Sequence, residues 1–233
     1  MIVDSPFTVN VAKIGRPNSL YDQLVDGLKS SPYNQSDGFG FTIEAVEQSY
    51  VSAYLVLSNP VVVRQFDQES GGIVEQEVNQ EKLIPFRIDF DTGLLEIFSS
   101  QSDTSQVITR ISELIEWSSP ITETGIRTGN LYTSLRESDA NIEIQSMHIS
   151  DFEYDTVRGN YHLKSFEESE AKALLSEYAG DISYLSISVE NHNETATFGF
   201  YRSGSIRLYN NTNHDDRFWN DMKYAISENL GDV

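Results

Sequence analysis

Gly93, Leu94, Leu95, Glu96, Ile97 and Phe98 return later in the chain as Gly204, Ser205, Ile206, Arg207, Leu208 and Tyr209, a constant offset of 111 (204 less 93). Each stretch starts at a glycine that closes a turn and alternates apolar with polar residues as a half-buried strand does. Before the first lie Phe86, Ile88 and Phe90, then the turn Asp91, Thr92, Gly93; before the second lie Phe198 and Phe200, then Arg202, Ser203, Gly204. Both read as hairpins whose glycine takes a positive φ.

The same register holds outward in both directions. Downstream, Val107, Ile108, Ile111, Leu114 and Ile115 align with Phe218, Trp219, Met222, Ala225 and Ile226. That spacing predicts a closing helix with one apolar stripe, opened by Asp103 in one copy and by Asp215 or Asp216 in the other. Upstream, Arg16, Leu20, Tyr21 and Leu24 align with Arg127, Leu131, Tyr132 and Leu135, and Ser19 and Asn130 fall where a helix N-cap belongs. Phe41, Val46 and Tyr50 align with Phe152, Val157 and Tyr161. Repeats at one register and in one order predict a tandem duplication. The expected fold is α+β: two helix–antiparallel sheet–helix units, residues 1–117 and 118–233, related by a pseudo-two-fold and sharing one continuous sheet. The middles differ. Val61 to Val63 reads as a strand before a Gly71, Gly72 turn, whereas Glu167 to Tyr178 reads as a helix before a strand from Tyr184 to Val189.

Thr8, Val9, Asn10 and Val11 leading into the first helix, and Phe200, Tyr201, Gly204 and Ile206 leading into the last, resemble the TATA-box-binding protein fold. That family is also an internal duplication, a saddle whose curved sheet grips DNA and whose helices lie on top. The resemblance implies wedge aromatics that pry base steps open from the minor groove, at Phe41 and Phe90 in one copy and at Phe152 and Phe200 or Tyr201 in the other. The lysine that the family carries after the hairpin glycine is Leu94 and Ser205 in this chain.

Composition bounds the remaining classes. In 233 residues, 39% hydrophobic and 11% aromatic content is enough for packed cores, so disorder is not the reading. No run reaches a membrane span, and the N-terminal residues have neither the basic start nor the apolar core of a signal peptide. With no cysteine there is no disulfide, thiol nucleophile or cysteine-bound zinc. The expected setting is cytoplasmic. The net charge of −20, dispersed along the chain, fits a salt-adapted organism, because molar salt shortens the Debye length to about 3 Å and screens self-repulsion.

Catalytic motifs are weak. Asp91, Thr92 and Gly93 spell the aspartic-protease triplet, but the repeat places Arg202 where the second aspartate belongs. Asp151, Glu153 and Asp155 alternate along one strand with His148 just before them, a weak candidate site for a hard cation. The histidines at 148, 162, 192 and 214 show no ligand spacing, and neither a nucleophile elbow nor a phosphate loop occurs. Arg16 and Arg127 precede their helices in a chain short of cations and suit a phosphate or a partner carboxylate. The sequence therefore points to a non-enzymatic binding module without cofactor or evident small-molecule substrate, its partner DNA or protein. A nucleic-acid-binding regulator is the first expectation, a protein-interaction scaffold the second, a metal-dependent hydrolase a distant third.

Overall fold

The computed structural model describes the chain except residues 1–6, 69–70, 138–140, 155–156, 165–166, 179, 192–193, 211–215 and 232–233. The first half runs β1 (Phe7–Ile14), a 3-10 turn (Pro17–Leu20), α1 (Tyr21–Ser30), β2 (Phe39–Val46), β3 (Tyr50–Asp67), β4 (Gly72–Asp89), β5 (Leu94–Ile97) and α2 (Gln101–Leu114). The second runs β6 (Ile121–Glu123), β7 (Gly125–Ile126), α3 (Thr128–Glu137), β8 (Asn141–Tyr154), β9 (Val157–Lys164), α4 (Glu168–Glu177), β10 (Ile182–Asn191), β11 (Glu194–Tyr201), β12 (Ser205–Asn210), α5 (Asp216–Glu228) and β13 (Leu230–Gly231). The protein is mixed α and β, with both hairpin glycines at positive φ, Gly93 at 71° and Gly204 at 87°. No helix among the described residues is long and apolar enough to cross a membrane.

One antiparallel sheet runs β2-β3-β4-β5-β1-β12-β11-β10-β8-β9. β1 is its hinge: one edge pairs with β5, while the other pairs with β12 and then with β6. Direct cross-strand partners give one rung in each half: Val46, Val51, Ile88 and Leu95 in the first, Met147, Leu185, Phe200 and Ile206 in the second. On these rungs Val46 stands with Met147, an offset of 101 (147 less 46), not with Val157. The Phe41 and Phe152 match is thus out of step with the ladders. The cause is a shorter link from helix to strand: α1 ends at Ser30 and β2 begins at Phe39, whereas α3 ends at Glu137 and β8 begins at Asn141. β9 and α4, inserted after β8, shift only the next strand, where Leu185 stands with Val51.

Strand alternation decides the layers. Ala12 and Ile14 of β1 pack with Val51, Ile88, Leu95 and the α1 and α2 residues Leu24, Leu28, Val107 and Ile111. Val9 and Val11, on the opposite face of β1, pack with Phe200, Ile206, Leu185 and the α3 and α5 residues Leu131, Leu135, Trp219 and Met222. Helices therefore lie on both faces, each pair over its own half. This differs from the layering implied by the TATA-binding resemblance, in which all helices share one side.

Two local expectations change. Ser19 does not cap α1: the chain enters through a 3-10 turn behind Arg16 at φ 50°, and the Ser19 hydroxyl donates to the Arg16 carbonyl at 2.8 Å. Asp103 sits inside the first turn of α2, buried, accepting from Ser100 at 2.9 Å and also bonded to Ser99 and Lys82. Burial raises its carboxyl pKa, but those three partners outweigh burial and hold it below the usual range. Beyond Ser58 and Glu81, β3 and β4 continue only with each other, up to the rung Asp67 with Gly72. This arm exposes Val62, Phe66 and Ile73, the last at 73%.

Candidate binding face

Each half has one sheet face turned away from its own helices. In the second half the rung Ser186, Gly199, Arg207 and the rung Tyr201, Tyr184, His148, His162 bring their side chains onto that face. Gly199 makes the floor. A Cβ there would lie 2.9 Å from the ring and hydroxyl of Tyr184 and 3.0 Å from the ring of Tyr209, so only glycine lets both rings lie across the strand. The Tyr184 and Tyr209 hydroxyls share a hydrogen bond of 3.0 Å. Alternation along β12 puts Tyr209 on this side with Arg207, at a register shift between Leu208 opposite Phe198 and Asn210 opposite Thr197. Tyr184 lies 4.7 Å from the Tyr201 ring and 5.1 Å from His148, and His148 meets His162 edge-on at 4.1 Å. The Arg207 guanidinium sits 5.2 Å over the Tyr209 ring.

Electrostatics on this face depart from the rest of the chain. Arg207 and Lys164 are exposed on the rung of Gly199 and Ser186, while Glu143 lies one same-face step on, opposite Ser188, and Glu190 at the end of β10. Among the described residues of these rungs the two cations balance the two acids, in a protein of net charge −20. Burial, then hydrogen bonds to Tyr184 and Tyr201, push the Tyr209 phenol far above its ordinary pKa, so it stays a neutral donor. Burial, then the charges of His162 and Lys164, lower the His148 pKa and favour a neutral ring.

The first half's corresponding face is closed. Its rung Ser52, Arg87, Glu96 carries a guanidinium and a carboxylate where the second half has Gly199 and Arg207. Arg87 donates to Ser52 at 3.3 Å and lies 4.9 Å over Tyr50. From across the molecule α5 covers this rung: Trp219 donates to Glu96 Oε2 at 2.8 Å, and Lys223 donates to Asp89 at 2.5 Å. Glu96 is fully buried, with its Oε1 3.7 Å from Lys223 and outside any hydrogen bond. Burial pushes the Glu96 carboxyl up, against the opposing charges of Lys223 and Arg87. Burial acts the same way on Asp89, but the bonds from Lys223 and Thr92 prevail and hold it low.

Of the aromatics and arginines singled out for nucleic-acid contact, Tyr201 alone belongs to the open face, where His148 and His162 also lie. Phe41, Phe90 and Phe200 are 3%, 1% and 0% exposed inside the two cores, so as wedges their rings are corrected to packing residues. Their alternation marked the helix-covered side of each strand, which is also what a core stripe requires. Phe152 is half-buried between Tyr161 at 4.8 Å and Tyr178 at 5.0 Å. Asp151 and Glu153 flank Arg158 at 3.6 Å each, and Asp155 lies outside the described residues. No group of three potential ligands that could hold a metal occurs among the described residues. Arg16 is exposed at its turn, far in the chain from the face, and Arg127 lines a separate cavity at the start of α3. The open face did leave a trace in the sequence. Tyr50, Val51 and Ser52 recur as Tyr184, Leu185 and Ser186, but at an offset of 134 (184 less 50), which a search at 111 passes over.

No protein-family model matches the chain, and no curated protein matches it.

Proposed function

We propose that the protein is a non-enzymatic module, built by tandem duplication of a TATA-binding-like unit, that holds single-stranded nucleic acid on the open face of its second half. The observation that carries this reading is the tyrosine layer over Gly199, flanked by Arg207, Lys164 and two histidines in an otherwise acidic chain. Bases stack on tyrosine faces irrespective of sequence, and cations beside a platform hold the backbone. A strand laid on it is the partner that fits; a duplex is not, because Phe41, Phe90 and Phe200 are in the cores, Phe152 is packed between two tyrosines, and Tyr201 belongs to the tyrosine layer itself. The duplication is supported by the matching rungs, the salt-adapted setting by the charge, and the cytoplasmic one by the lack of cysteine.

Binding of labelled single-stranded and duplex oligonucleotides, followed by anisotropy from about 0.1 to about 3 M KCl, tests this. Single-strand binding that survives high salt and is lost on Tyr184→Ala is the expected result. A folded protein that binds neither form at any salt overturns it.

A second reading, a protein-interaction scaffold, is favoured by the β3–β4 arm. A lone two-stranded ribbon is marginal in water, and this one exposes Phe66 at 66% and Val62 at 63% with both outer edges unpaired among the described strands. Replacing residues 60–79 by a short turn and comparing what co-purifies from native cells separates the two readings.

A further inference from the structure

A cavity of about 380 Å³ opens at the end of β10 and β11, lined among others by Gly125, Arg127, Asn130, Gly180, Arg202 and Gly231. Its walls are fixed by backbone. β7 pairs with β13, joining Gly125 to Gly231, and the Arg127 N–H donates to the Asn229 carbonyl at 2.9 Å. The Ile126 N–H donates to the Arg202 carbonyl at 3.0 Å, and the buried Thr128 hydroxyl donates to Ile182 at 2.7 Å. The Arg127 side chain lies against Gly231, where an added Cβ would stand 2.9 Å from its Nε.

We propose that this cavity binds a phosphate monoester, gripped by Arg127 and Arg202. The chain has 16 cationic against 36 acidic residues, yet both arginines line a cavity whose described lining residues include no carboxylate. Among the described residues neither makes a salt bridge; Arg202 donates through Nη1 to the Gly180 carbonyl at 2.9 Å and keeps its other donors. Two guanidinium forks around a glycine-lined space suit an oxyanion with several acceptor oxygens, and bidentate arginine contacts are the strong form of that recognition. The volume takes the phosphate together with part of the group that bears it. This site is distinct from the tyrosine face and does not depend on it. The phosphate has two sources, a small phosphorylated metabolite or the phosphorylated end of a nucleic acid strand.

Calorimetric titration with inorganic phosphate, at a constant KCl concentration, is the first arm. Binding that weakens about tenfold or more in Arg127→Gln and in Arg202→Gln, with partial rescue by the lysine variants, is expected. Arg64→Gln, on the exposed arm, should leave it unchanged. Thermal melting confirms that each variant folds. Absence of phosphate binding in the folded protein, or an equal loss in Arg64→Gln, overturns the proposal. In the second arm, oligonucleotides with and without a 5′-phosphate are compared in a Tyr184→Ala background, where the open face is disabled. Tighter binding of the phosphorylated form that depends on Arg127 supports the site with a strand end as its source. Phosphate binding without that preference supports it with a small metabolite as the source.

Discussion

The two sheet faces left bare by their own helices share a frame, and they end differently. In the first half, Ser52, Arg87 and Glu96 are sealed by Trp219 and Lys223 of α5. In the second, Ser186, Gly199 and Arg207 remain open, with tyrosines lying where the first half has charge. The asymmetry follows from the layering. Because the halves put their helices on opposite faces of one sheet, the first half's bare face lies on the same side as α5, within its reach. One half thus supplies a joint and the other a surface.

The joint should give the largest effect when broken. Lys223→Met leaves Asp89 buried without its bonded cation and Glu96 facing Arg87 alone, and should lower unfolding free energy by about 3–5 kcal/mol in urea denaturation. Glu96→Gln should cost less than about 1 kcal/mol, because the amide oxygen can still accept from Trp219 and burial already opposes the Glu96 charge. Equal losses from the two variants would mean that the cluster does not hold the halves together through Lys223.

The surface comes next. Tyr184→Ala and Tyr201→Ala should each weaken single-strand binding by about 1–3 kcal/mol, whereas Tyr50→Ala, on the sealed face, should leave affinity unchanged. Anisotropy titrations decide this, and a matching loss in Tyr50→Ala would erase the distinction between the faces. Gly199→Ala should cost about 1 kcal/mol of stability, at the low end for overpacking because the atoms it meets are tyrosine tips that can swing. The same variant should weaken binding as the rings are displaced.

The smallest effect is a pH dependence. The folded His148 pKa is lowered, so between it and the unfolded value of 6.5 the unfolded chain binds more protons and stability falls as pH falls. Above 6.5 this contribution is fully present. Melting curves from pH 7.5 down to 5 should show a smaller acid-side decline in His148→Gln than in the parent; parallel curves would remove His148 from the account.

Much of this was legible in the residues, and the failures have physical reasons. Gly93 and Gly204, the stripe from Val107 to Ile115, and the alternation Phe86, Ile88, Phe90 at the end of β4 announced their elements because local sterics and periodicity act over a few residues. The Phe41 match misled because alternating strands look alike whatever their register, and a shorter link from helix to strand shifts the ladder without leaving a mark on the pattern. The wedge aromatics failed for a related reason. Alternation shows that a strand has two faces, and it does not show which one a helix covers. Arg127 was noticed as a cation before a helix, while its companion Arg202 lies 75 positions on (202 less 127) and joins it only through the β7 and β11 ends.

The sequence by itself determined the α+β class, the two hairpins with their glycines, the apolar stripes of the helices and the strongly acidic surface. These depend on backbone sterics, side-chain period and charge count. Tertiary structure alone decided that the halves turn their helices to opposite faces, that Lys223 reaches Asp89 over 134 positions, and that Tyr184, Gly199, Arg207 and His148 share one open face. Those are properties of strand order and pairing, which many distant weak contacts settle together and no local stretch encodes.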